Sequence, residues 1–169
     1  MKNTIVTYFE PFGGRTTNAS KEVVSLLSEY HIKELPVSWL QIESKIDEIL
    51  LSNPDYLFLV GEAGSYQQIT VERTAHNICN GLDNFGVDKS DEPIVAQGPE
   101  AIKTSLNLDD IPYHVSDNAG KYLCNYTYYL ALFKAKVTKV VFIHLPYVNG
   151  NLNELKNDLL EIINKLSER

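Results

Sequence analysis

Two short runs constrain this chain most: Y-L-F-L-V at 56–60 and V-V-F-I-H-L at 140–145. Each is almost unbroken in apolar side chains. A strand with one wet face alternates apolar and polar residues, whereas a strand covered on both faces does not. The runs therefore predict central strands of a sheet buried between helices. Each ends in turn residues, Gly61-Glu62-Ala63-Gly64 after the first and Pro146-Tyr147 after the second.

The remaining segments supply the helices and further strands. Residues 3–8 read as a strand that ends in F-E-P-F-G-G, a loop of the kind found at the ligand-binding edge of a parallel sheet. Phe9 and Phe12 flank that loop, either as packing or as the wall of an apolar pocket. A helix is predicted over 18–30, with Asn18 or Ser20 as its cap, and a strand over 32–39, interrupted by Pro36. Ile42, Ile46, Ile49 and Leu50 repeat at helical spacing up to Asn53-Pro54. Residues 67–78 read as a strand, and 79–99 as a long excursion with room for a hairpin. A strand over 111–115, a helix over 120–134 and an amphipathic helix from Leu152 complete the chain. Strand and helix alternate, which predicts one domain over 1–169: a three-layer α/β/α sandwich with a mostly parallel central sheet.

Composition excludes several partners. The 169 residues carry a formal net charge of −7 and no long Lys/Arg run, which argues against nucleic acid or an anionic membrane. There is no stretch of 18 apolar residues and no apolar signal core, so the expected compartment is the cytoplasm. Cys79 and Cys124 should then be thiols. Two cysteines and four scattered histidines give no metal-ligand spacing.

The chemistry points to S-D-N-A-G-K-Y-L-C-N-Y-T-Y-Y at 116–129. Cap-type residues and Gly120 precede Cys124, which opens a helix, and a helix start favours thiolate over thiol. The plain alternative is a small buried hydrophobe. His144 closes a buried strand, and right-handed crossovers would bring it to the same sheet edge as Cys124. An imidazole there could hold the thiolate and later protonate a leaving amine. A carboxylate usually orients such a ring. Glu72 is the candidate, with a solvated strand carboxylate beside Arg73 as the other reading.

Four segments together resemble the pyroglutamyl peptidase I (pyrrolidone-carboxylate peptidase) family. T-Y-F-E-P-F-G-G-R-T-T-N-A-S is similar to its T-G-F-x-P-F-G-G segment. G-E-A-G-S-Y-Q-Q-I-T-V-E-R-T-A-H-N resembles its G-Q-A-G-G-R…I-x-x-E-R-x-A-x-N signature. N-A-G-K-Y-L-C-N resembles its A-G-x-x-x-C-N segment, and F-I-H-L-P-Y its F-I-H-x-P-Y segment. The resemblance implies a cysteine peptidase that removes N-terminal pyroglutamate from small peptides, without metal or cofactor. It maps the nucleophile to Cys124, the base to His144 and the orienting carboxylate to Glu72. Phe9, Phe12, Tyr122 and Leu123 would hold the lactam ring, with Gly61 and Glu62 reading its amide edge. The family's homo-oligomers carry over less firmly, because the segment before Ser116 and the tail after Tyr147 are short.

Two substitutions depart from the family pattern. Glu62 stands for the family's Gln. Unpaired in an apolar pocket it would take up a proton or prefer a cationic ligand. Leu82 or Asp83 stands where an Arg near the thiol is expected. A non-catalytic binding module, or a hydrolase of another small lactam or amide, therefore stays open beside the peptidase.

Overall fold

The computed structural model describes residues 2–167. The first half of the chain forms β1 (Thr4–Phe9), α1 (Ala19–Val24), β2 (His31–Leu35), α2 (Ile42–Leu51), β3 (Tyr56–Glu62), β4 (Thr70–Glu72), β5 (Thr74–His76) and β6 (Cys79–Leu82). The second half forms β7 (Asp88–Glu92), β8 (Ala101–Lys103), β9 (His114–Ser116), α3 (Leu123–Lys134), β10 (Lys139–Leu145) and α4 (Leu152–Ser167). Six strands line up as β2-β1-β3-β10-β4-β9. The first four are parallel; β4 runs against β10, and β9 follows β4. The fold is a three-layer α/β/α sandwich with a mostly parallel sheet and two short reversed strands at one edge.

The two apolar runs become β3 and β10, paired from Tyr56 opposite Lys139 to Glu62 opposite Leu145. Strand alternation divides their side chains between two cores. Leu57, Leu59 and Phe142 pack with Ile42 and Ile46 of α2 and Tyr128 of α3. Phe58, Val60 and Ile143 pack with Val23 of α1 and Leu159 and Ile163 of α4. Each such side chain contributes about 1.5–3 kcal/mol by leaving water. This double burial is why neither strand carries a polar stripe.

Several boundaries differ from the sequence reading. The helix predicted over 18–30 stops at Val24. Leu26 and Leu27 then bond back to Val23 and Val24 in tighter turns of 3.1 and 2.9 Å. This delivers Leu27 to the core without further helix. The strand predicted over 32–39 occupies His31–Leu35, ending before Pro36, which has no N–H to give. The run 67–78 splits at Arg73, whose N–H goes to Ser116 O (2.7 Å) while its O accepts from Thr104 (2.9 Å). The excursion does hold a hairpin, β6–β7. The third strand of that region falls at His114–Ser116 rather than 111–115. The helix predicted from residue 120 begins at Leu123, because Gly120 takes φ +83°, outside helical space. Gly61 and Glu62 belong to β3 rather than to the loop after it.

The path to Cys124 also departs from expectation. A right-handed crossover from a parallel strand would deliver it. Instead β9 runs against β10, and Ser116 pairs with Glu72, which pairs with Phe142. The 117–122 turn carries the chain from there to the start of α3. Among the described residues no helix is long and apolar enough to cross a membrane.

Candidate active site

The ends of β3 and β10 lie side by side, with Gly61 opposite His144. A cavity of about 370 Å³ opens between them and the start of α3. Phe9, Phe12, Tyr122 and Leu123 give it apolar walls, and Glu62, Cys124 and His144 reach it. Gly61 lies under the sulfur. A Cβ at Gly61 would come within 2.8 Å of Cys124 Sγ and of the Phe142 ring, so only glycine lets the thiol sit on the strand. Tyr122 is braced by edge contact with Trp39 (5.5 Å between ring centres) and by its hydroxyl, which donates to Leu82 O at 2.8 Å.

Glu72 stands behind the cavity rather than in it. It is fully buried on β4, and its Oε1 accepts from His144 Nδ1 at 2.8 Å. A carboxylate only accepts, so the imidazole carries its proton on Nδ1 and keeps Nε2 as a base. The solvated-carboxylate reading of Glu72 is thereby corrected. Glu72 Oε2 has no hydrogen-bond partner among the described residues.

Cys124 is the second residue of α3 and partly exposed. The first intrahelical bond runs from Tyr126 N–H to Tyr122 O (3.0 Å), leaving the N–H groups of 123–125 without helical acceptors. Asn125 locks this end in place. Its Oδ1 accepts from His76 N–H (3.0 Å), and its Nδ2 donates to His76 O and Ile78 O (2.8 and 3.0 Å). The thiol itself is not poised as a thiolate. Burial pushes it up to about 12, with Glu72 and Glu62 adding to the effect. The helix start does not offset desolvation.

The residues at the expected Arg position do other work. Leu82 is exposed, and Asp83 is buried, accepting from the N–H groups of Trp39, Phe85 and Val87 at 2.9, 2.8 and 2.9 Å. No cation replaces the Arg among the charges acting on Cys124.

Glu62 is not the unpaired carboxylate anticipated from sequence. Arg15 Nη1 donates to its Oε1, and the Ala19 N–H at the start of α1 donates to its Oε2 at 2.7 Å. Arg15 also stacks over Tyr147, 4.5 Å from the ring centre. Arg15 escaped the sequence reading, although it directly follows the F-G-G turn. Replacing Arg15 with methionine should leave a buried carboxylate short of a donor. About 1–3 kcal/mol of stability should be lost in urea titration. Adding Glu62→Gln to that variant should restore most of it; equal losses in the single and double variants would deny the pairing.

The chain as a whole is similar to known proteins. A family model described as Pyroglutamyl peptidase matches residues 2–159. Pyrrolidone-carboxylate peptidase of Fusobacterium nucleatum is 35% identical over 170 residues, covering 88% of this chain and 79% of that protein. Its counterpart from Thermococcus onnurineus is 35% identical over 167 residues, covering 86% and 84%. The crystal structure of pyrrolidone carboxyl peptidase from Thermus thermophilus gives a TM-score of 0.84 at 28% identity, over 92% of this chain and 97% of that one. Pyroglutamyl peptidase I from Bacillus amyloliquefaciens gives 0.86 at 28%, over 94% and 93%. With a family match spanning nearly the whole chain and relatives above 30% identity, this chain belongs to the pyroglutamyl peptidase family.

Proposed function

We propose that the protein is a cysteine peptidase that removes N-terminal pyroglutamate from small peptides, with Cys124 as nucleophile, His144 as base and acid, and Glu72 as the group that orients the ring. The observation that carries this is the 2.8 Å bond from His144 to buried Glu72 at a cavity shared by His144 and Cys124. His144 Nε2 takes the proton from Cys124, and Sγ attacks the carbonyl carbon that joins the pyroglutamyl group to the next residue. The free N–H groups at the start of α3 face the resulting oxyanion. The C–N bond then breaks, and His144 gives its proton to the departing amine. A water molecule, deprotonated by His144, attacks the thioester and releases pyroglutamate and the thiol.

The neutral lactam suits a compact apolar cavity with few polar groups. Glu62, its charge balanced by Arg15, can only accept at the lactam edge, which matches the ring N–H rather than its carbonyl. Release of aminocoumarin from a pyroglutamyl-aminocoumarin is the direct test. Saturable hydrolysis is expected. Binding of pyroglutamate without hydrolysis would favour the non-catalytic module, and neither binding nor hydrolysis would sink the reading.

A further inference from the structure

Tyr66 belongs to none of the groups placed in the mechanism above, yet its hydroxyl lies 3.0 Å from Glu72 Oε1. That is the oxygen that accepts from His144 Nδ1. The Tyr66 ring meets the His144 ring edge-on, 5.6 Å between centres. Its hydroxyl is also 3.3 Å from Asn118 O and 3.4 Å from Ser116 Oγ. One hydroxyl proton serves one strong bond, and the ionised acceptor takes it in preference to a neutral carbonyl. Among the described residues Glu72 Oε2 is without a partner, so both donors converge on Oε1.

We infer that Tyr66 is a positioning residue: its hydroxyl fixes the Glu72 carboxylate so that Oε1 faces His144. This rests on the proposed roles of Glu72 and His144. Without Tyr66 the carboxylate is free to turn Oε2 toward the ring or swing off it. Burial and the neighbouring Glu72 raise the phenol above its ordinary range, so it remains a donor at neutral pH. The hydroxyl also draws charge from Oε1 and so weakens that oxygen's hold on a protonated imidazole. Other titratable groups of the surrounding elements include Cys124 and Tyr128 on α3, Glu62 on β3 and His114 on β9. The last is tied to Thr70, the strand partner of His144, at 3.2 Å.

Tyr66→Phe keeps the ring and removes the oxygen. The expected result is a fall in kcat on the order of tenfold with KM within about twofold. The His144 Nδ1–H proton resonance, read by NMR, should move downfield, because Oε1 becomes the stronger acceptor once its second donor is gone. Site-specific 3-fluorotyrosine at position 66, a stronger donor, should move it upfield. The NMR readout needs no turnover, so it decides the role of Tyr66 even if the substrate assay is negative. An unmoved resonance in both variants, or a rise in KM alone, would overturn the inference. Should Tyr66→Phe fold poorly, the fluorotyrosine protein carries the decision.

Discussion

Cys124→Ala should lower turnover of a pyroglutamyl-aminocoumarin by ~10⁴-fold or more, while Cys79→Ala should stay within about twofold. The contrast follows from where the two sulfurs lie. Cys124 Sγ rests on Gly61 at the cavity. Cys79 is fully buried on β6 and donates to Glu92 O at 3.4 Å. Losing it removes packing, worth about 1 kcal/mol of stability, but no reacting atom. Alkylation sharpens the test. Burial pushes the Cys124 thiol up, so without a proton acceptor it would offer too little thiolate at neutral pH for rapid reaction with iodoacetamide. Labelling of Cys124 faster than a free cysteine at neutral pH would therefore report proton transfer to His144. His144→Ala should abolish that reactivity while leaving the sulfur in place. Turnover that survives in Cys124→Ala would remove the thiol from the mechanism.

The layers of the fold were legible because burial writes itself plainly into a sequence. Strands covered on both faces leave unbroken apolar runs, and β3 and β10 fell where those runs are. The reversed strands β4 and β9 were not legible in orientation. Three residues each carry no directional signal, and their pairing depends on contacts far along the chain. The residues lining the cavity were named largely from motif resemblance, and the structure gathers Phe9, Phe12, Glu62, Tyr122 and Leu123 at it.

Charge partners were harder to read. Glu62 looked unpaired because its partner Arg15 lies 47 positions away in a different loop. The thiol looked activated because the helix start is visible in sequence, whereas the desolvation that outweighs it appears only in three dimensions. Tyr66 had a signal that went unused. It stands at the Arg position of the G-Q-A-G-G-R segment, and a hydroxyl there now donates to Glu72, the carboxylate that accepts from His144 Nδ1. Where a family position changes chemistry this sharply, the new side chain must satisfy what surrounds it. Here that is a buried carboxylate oxygen.

Glu72→Gln should cost about 10²–10⁴ in kcat with KM within about threefold. Glu72 lies outside the cavity wall, so substrate does not touch it, and its loss should act through His144 alone. An amide oxygen can still accept from Nδ1, but it brings no charge to stabilise the imidazolium that forms when the ring takes the thiol proton. An amide N–H turned toward Nδ1 would force the proton onto Nε2 and leave Cys124 without a base. A neutral amide oxygen is the weaker acceptor, so the His144 Nδ1–H resonance should move upfield, opposite in sign to the effect of Tyr66→Phe. Folding should suffer little. The wild-type carboxylate already keeps one oxygen without a partner among the described residues, and an amide nitrogen there exchanges one unsatisfied buried atom for another. Chemical denaturation should place the variant within about 1 kcal/mol of the parent. If stability collapses while kcat per folded molecule is unchanged, Glu72 is a structural carboxylate and the orienting role fails. If kcat falls without movement of the His144 Nδ1–H resonance, the carboxylate acts on substrate rather than on the ring.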